Sequence, residues 1–272
     1  MNKEVLVLPM LNKTTVFVIF LSSLLLPFQS FAQTPEERGL EISQEADRRA
    51  NGFDDFRAEM EMILRNRQGD ESTRYIRIWG LEVKGDGDKG LSIFDEPGDV
   101  KGTAMLTYSH KVEPDDQWLY LPALKRVKRI ASKNKSGPYM GSEFAYEDIG
   151  SQEVEKYTYK YLRDEVYNGM DCFVVERYPV DKNSGYTRQV TWIDKAEYRP
   201  QKTVYYDRKN ALLKTLTFSG YKKYLEHHWR PDEMFMENHQ TGKTTKIIWK
   251  NYRFRTGLTD DDFQVNDLKR AR

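Results

Sequence analysis

Residues Asp115–Gly150 read DDQWLYLPALKRVKRIASKNKSGPYMGSEFAYEDIG, and the succession of residue types in this stretch decides how the rest of the chain is read. Trp118-Leu119-Tyr120-Leu121 is apolar on both faces, as a strand is when it is covered on one side and faces an apolar space on the other. Pro122 closes it. Lys125–Ile130 then alternates imperfectly, with Val127 and Arg129 on one face and Arg126, Lys128 and Ile130 on the other. Its four cations, Lys125, Arg126, Lys128 and Arg129, are either a solvated edge strand protected from stray pairing or a docking patch suited to an anionic lipid head group or an acidic partner.

The remainder of the stretch is a loop with large apolar side chains. Ser136–Ser142 carries two glycines and a proline around Tyr139 and Met140, a composition that favours loops. Phe144 and Tyr146 follow in a segment expected to make a helical turn beginning at Ser142. These aromatics either roof a cavity as a short helical lid or pin an ordinary loop into the core. The stretch has no histidine, no cysteine and no serine with a base at a recognisable spacing, so it reads as a surface that binds and not as a set of catalytic groups.

Outside this stretch the chain is dominated by period-two patterns. Phe56, Ala58, Met60, Met62 and Leu64 share one face of a long half-buried strand, opposite Arg57, Glu59, Glu61 and Arg65. Further strands are expected at 72–83, 91–95 and 103–108, and in the second half at 157–167, 170–178, 186–193, 200–206, 212–222, 234–238 and 244–254. Asn168-Gly169 between two such runs is the strongest hairpin signal. Thr34-Pro35-Glu36-Glu37 reads as a capping box with proline at the first helical position, opening a helix that ends near Gly52. An antiparallel meander of about eleven or twelve strands with one helix must curl into a barrel or part of one to hide its edges.

At the amino end, Lys3 and Lys13 precede an apolar run, Val16–Leu26, which has the length of a secretory core and is short for a bilayer span. Ser30-Phe31-Ala32 supplies the small residues of a cleavage site. Residues 1–32 are therefore expected to be a signal peptide, with its start at Met1 or Met10, and 33–272 a single soluble, exported domain. The cleavage point has no cysteine for acylation. Without Lys3, Glu4 and Lys13 the chain has 41 basic and 41 acidic residues, so no overall field points to nucleic acid or a membrane, and an electrostatic partner must be local. Cys172, the single cysteine, sits in a strand-like run and reads as a small buried hydrophobe.

Other chemistries are poorly supplied. Asp86-Gly-Asp88 resembles the start of a calcium loop, but Pro97 stands where the bidentate glutamate belongs. His110, His227, His228 and His239 are scattered, and the adjacent pair would point to opposite faces of a strand, so neither a metal nor another cofactor is expected. Ser132, Ser136, Ser142 and Ser151 have no histidine nearby in sequence, which argues against a hydrolase. A curled sheet rich in aromatics can enclose an apolar ligand. The side chains that would line it are Trp79, Phe94, Met105, Trp118, Tyr120, Met140, Phe144, Trp192, Tyr206, Phe218 and Trp249; a core filled by its own side chains is the competing reading.

Asp115–Ile130, Tyr139–Asp148, Leu213-Lys-Thr-Leu216 and the ending Leu258-Thr-Asp-Asp-Asp-Phe263 also carry a resemblance. From about Arg49 to Arg270 the chain resembles the outer membrane lipoprotein-sorting protein family, which is similar to the carrier LolA and the receptor LolB. The resemblance implies an incomplete antiparallel β-barrel around an apolar cavity with helices as its lid. It further implies a periplasmic carrier of a lipid or of the acyl chains of a lipoprotein, acting with an inner-membrane exporter of the resistance-nodulation-division type. A non-carrier adaptor of such an exporter, with a filled barrel, is the alternative.

Overall fold

The computed structural model describes residues 33–270; the expected signal peptide at 1–32 lies outside the described residues. The chain begins with a helix, α1 (Pro35–Ala50). The expected capping box is in place: Glu37 N–H donates to Thr34 Oγ1 at 3.1 Å and Thr34 N–H to the Glu37 carboxylate at 2.9 Å. Gly52, at φ +95°, turns the chain out of the helix, a conformation open to glycine at no steric cost.

Thirteen strands then form one antiparallel sheet. The first half contributes β1 (Asp55–Arg65), β2 (Glu71–Leu81), β3 (Lys89–Glu96), β4 (Ala104–Tyr108), β5 (Asp116–Leu121) and β6 (Arg126–Arg129). After a long connection come β7 (Tyr157–Tyr167), β8 (Met170–Pro179), β9 (Tyr186–Asp194), β10 (Pro200–Asp207) and β11 (Leu212–Ser219). A separate two-stranded hairpin, β12 (Lys222–Tyr224) with β13 (His228–Arg230), precedes β14 (Glu233–Asn238) and β15 (Thr244–Phe254). The spatial order is β6-β5-β4-β3-β2-β1-β15-β14-β11-β10-β9-β8-β7. Each half is a meander, and β1 pairing with β15 joins them in the middle. The edges, β6 and β7, do not pair, so the curved sheet is an unclosed barrel, as expected for a fold of this kind.

The strand count exceeds the expected eleven or twelve. The expected strand 212–222 breaks at Gly220, where φ is +66°, and the polar residues after it hide the short hairpin β12–β13. The cationic strand starts at Arg126: Lys125 lies at φ 50° after the turn Pro122–Leu124 and belongs to the turn. The helical turn expected from Ser142 forms later, at Tyr146–Asp148. There Asp148 takes the Ala145 N–H at 2.7 Å, while the Ser142 hydroxyl folds back onto the Tyr139 carbonyl at 2.7 Å.

Both faces of the sheet are apolar. On the inner face Met60, Met62, Ile76, Phe94, Met105, Leu119, Leu216, Met236 and Ile247 pack into the main core, with Tyr139 and Phe144 of the 131–156 loop driven into it. On the outer face of the first half, Leu91, Ile93, Ala104 and Leu106 meet Leu258, Phe263 and Leu268 of the C-terminal segment. The outer face of the second half has its own cluster, Cys172, Val174, Val190 and Trp192.

Candidate functional site

Two elements cover the inner face, and they leave a cavity of 530 Å³ beside α1. The helix lies on β7 with one side and turns the other to the cavity. Ile42 is buried against Tyr159, Val175 and Ile193. The approach is close: a Cβ on Gly39 would stand 2.7 Å from the Tyr161 amide nitrogen, so glycine is required there for the helix to sit on the strand. Ser43, Ala46, Asp47 and Ala50, one helical face by their spacing, line the cavity. Across from them stand Phe56 and Met60 from β1 and Ile78 from β2, with Met234, Ile247 and Trp249 from β14 and β15. The Phe56 ring lies over Gly80, its cross-strand partner.

The loop 131–156 closes the other end as a plug. Tyr139 and Phe144 are almost wholly buried, at 1% and 3% exposure. Met140 takes a left-handed φ of 49° inside this loop, and its carbonyl accepts from Arg74. The loop is tied down by a buried ion pair: Lys214 Nζ donates to Asp148 Oδ2 and to the Glu143 carbonyl, both at 2.8 Å. Tyr186 OH adds a bond to Asp148 at 2.9 Å. Burial, helped by Asp148 nearby, raises the Glu147 carboxyl above its ordinary range.

The eleven residues expected to line the cavity divide between the two faces of the sheet. Phe94, Met105, Met140, Phe144, Phe218 and Trp249 lie on the inner side, in or against the main core, and Phe144 and Trp249 line the cavity itself. Trp118, Tyr120, Trp192 and Tyr206 face outward and are corrected accordingly. Trp118 and Tyr120 pack with the cluster that the C-terminal segment covers, Tyr108 meeting Trp118 edge-on at 5.0 Å. Lys202 Nζ lies 3.6 Å above the Trp192 ring and the Arg188 guanidinium 3.4 Å above Tyr206, capping these aromatics with cations. Trp79 borders the cavity, yet its ring packs on the outer cluster under the Arg57 guanidinium at 4.3 Å.

The polar residues of the cavity were missed. Asp47, Asp88, Glu153, Arg177 and Arg230 all line it. Burial, then repulsion from Glu153, raises Asp88 to about 7. Glu153 and Asp47 are raised by the same burial. The β2–β3 turn and the loop meet here, the Asp88 N–H donating to Ser151 Oγ at 3.3 Å. Arg177 lies 4.3 Å over the Tyr157 ring and donates to Gln189 Oε1 at 2.7 Å. A signal for it existed in the sequence: in Phe173-Val174-Val175-Glu176-Arg177, Arg177 shares the face of Phe173 and Val175. The chemistry of the cavity is thus an apolar trough with a few ionisable groups at its wall, the composition of a small-molecule site.

The four docking candidates lie at the β6 edge. Lys125, Arg126, Lys128 and Arg129 are all exposed. Arg129 pairs with Asp116. Val127 joins the outer cluster and Ile130 packs against the inner one, so the strand is pinned while its cations stay in water. Among the described residues no group of histidine, cysteine, aspartate or glutamate is arranged to hold a metal. Cys172 is fully buried in the outer cluster, its thiol pushed up by burial.

A family model described as "uncharacterized protein" matches residues 86–270. The chain is 62% identical to a solved outer membrane lipoprotein-sorting protein domain from Vibrio parahaemolyticus, over 86% of this chain and 99% of that one, with a TM-score of 0.85. The chain belongs to the outer membrane lipoprotein-sorting protein family. A DUF1329 family protein from Desulfovibrio piger is 32% identical over 86% of this chain and 99% of its own, with a TM-score of 0.82. The fold extends to a LolA superfamily protein from Nitrosomonas europaea, which is 21% identical, covered over 98% of its chain and superposes with a TM-score of 0.68. No curated protein matches. Within this lipoprotein-sorting family member, no helix among the described residues is long and apolar enough to cross a membrane.

Proposed function

We propose that the protein is a periplasmic carrier that takes a lipid, or the acyl chains of a lipoprotein, into the cavity beside α1 and moves it towards the outer membrane. The observation that carries this reading is the cavity itself: 530 Å³ bounded by Phe56, Ile78, Met234, Ile247 and Trp249 on the sheet and by small residues on the helix. Each methylene buried there contributes ~0.8 kcal/mol, so a sixteen-carbon chain offers on the order of 10 kcal/mol before ordering costs. That is enough to hold a lipid in water. A relative described as an outer membrane lipoprotein-sorting protein domain supports the same reading. In this scheme residues 1–32 are the export signal, and the exposed cations of the β6 edge dock an acidic surface on the partner from which cargo comes or to which it goes. An exporter of the resistance-nodulation-division type is our choice for that partner.

Native mass spectrometry of protein purified from the periplasm tests the proposal. A carrier retains a bound mass in the lipid range, and Trp249→Asp, which places a charge in the trough, loses it while staying folded. Protein that is free of lipid, and that takes up none from vesicles, would remove the carrier reading and leave that of an adaptor.

A further inference from the structure

We propose that the ligand of this cavity is an amphiphile with one acyl chain and an anionic head, the chain lying between α1 and the sheet and the head on Arg230. The inference rests on the carrier reading and narrows it. The volume of the cavity sets the number of chains. A methylene needs roughly the space of a water in the liquid, about 30 Å³, so a cavity of 530 Å³ matches one chain of about sixteen carbons.

The charge on its wall sets the head group. Arg177 and Arg230 line the trough, and among the described residues neither guanidinium lies within ion-pair distance, 4.0 Å, of a carboxylate. Arg230 donates to the Trp229 carbonyl at 3.0 Å and the Ala50 carbonyl at 3.3 Å. A guanidinium has five N–H groups, so donors remain. Its guanidinium carbon lies 5.3 Å from the Phe53 ring centre and 5.9 Å from that of Phe254, and burial pulls its pKa below the ordinary arginine value. Arg230 is half-buried and has no carboxylate at ion-pair distance among the described residues, and an anion that binds it bidentately supplies the missing counter-charge.

The carboxyls of the wall do not oppose this. Burial raises Asp88, Glu153 and Asp47 together, and Glu153 adds repulsion at Asp88 while Asp47 adds it at Glu153. Asp88, raised to about 7, is in part the uncharged acid at neutral pH, and in that form it can donate a hydrogen bond to an anionic head. Glu82, which also acts on Asp88, is occupied by the Gly52 and Asp54 amides at 2.6 and 3.0 Å. Lys111 and Lys156 add positive charge near Glu153.

Calorimetric titration of the purified protein at pH 7 with four ligands tests the inference: palmitate, palmitoyl lysophosphatidylglycerol, uncharged monopalmitoylglycerol and a tripalmitoylated lipopeptide. The account expects at least one anion to bind tenfold or more tighter than monopalmitoylglycerol, and the lipopeptide not to displace it. Tight palmitate alone identifies a free fatty acid as the source; tight lysophosphatidylglycerol identifies a membrane lipid. Arg230→Gln should erase the anion's advantage and leave monopalmitoylglycerol unchanged. If that variant does not fold, the charged-to-neutral ratio on the unaltered protein still decides. Equal affinity for charged and neutral chains, or tight binding of the lipopeptide, overturns the inference while the carrier reading stands. Binding of none of the four overturns the carrier reading itself.

Discussion

The two covers of the inner face are built to opposite effect. The loop 131–156 presses Tyr139 and Phe144 into the main core, where both are almost wholly buried, and only Phe144 also borders the cavity. The helix α1 turns Ser43, Ala46 and Ala50 to the sheet over Phe56 and Ile78, and 530 Å³ survives. The sheet supplies apolar side chains to both regions. What differs is the size of the side chains laid over them and the way each cover is held. The plug is held by a buried ion pair, Lys214 with Asp148; the helix is held by close backbone packing at Gly39. One half of the face is filled by the protein's own side chains, and the other keeps a volume that they do not fill.

Four changes break or sharpen this contrast. Replacing Lys214 by Met leaves Asp148 buried without its cation, and losing one partner of a buried pair costs about 3–5 kcal/mol. Chemical denaturation should show that loss; a change of under about 1 kcal/mol would mean the plug is held by its aromatics alone. The next effect is a gain. Asp88 has its carboxyl raised to about 7, so the folded state binds its proton more tightly than the unfolded chain does. Its ionisation therefore removes stability as pH rises from about 4 through 7, by up to about 4 kcal/mol. Asp88→Asn removes that penalty: melting temperatures of variant and parent should coincide near pH 3.5 and diverge in the variant's favour by pH 8. Divergence in the other direction would mean that the ionised form is the one held by the wall.

Gly39→Val forces α1 off β7. Overpacking of this kind costs about 1–3 kcal/mol, and amide exchange in the helix should accelerate while exchange in the strands under the plug stays slow. The smallest effect lies outside both halves. Reversing Lys125, Arg126 and Lys128 to glutamate should leave stability within about 1 kcal/mol per charge. It should slow cargo transfer or partner association and weaken its dependence on salt, because rim charges act mainly on encounter. Identical transfer rates at low and moderate salt would reduce the patch to a solvated edge.

The strands were legible because alternation is written directly into the sequence, and so was the capping box of α1. The inward face was not. On β5, Trp118 and Tyr120 look as suitable for a cavity as Leu119 does, because both faces of that strand are covered, one by the core and the other by Phe263 and Leu268 of the C-terminal segment. Trp192 and Tyr206 misled for a related reason: their outer face is apolar, but Lys202 and Arg188 shield it. Only the register across strands settles such choices, and register depends on partners far away in sequence. The ionisable groups of the cavity were harder still. Asp47, Asp88 and Glu153 come from a helix, a turn and a loop, and nothing local marks them as neighbours.

The central claim is that the open half beneath α1 holds an acyl chain. Photo-crosslinking with a palmitate that carries a diazirine near its methyl end tests it directly, with the labelled residues mapped by peptide mass spectrometry. The account predicts adducts on the cavity side, at Ala46 or Ala50 of α1 and at Ile247 or Trp249 of β15. Adducts confined to the outer-face aromatics Trp118, Tyr120, Trp192 or Tyr206, or no saturable labelling at all, would contradict it.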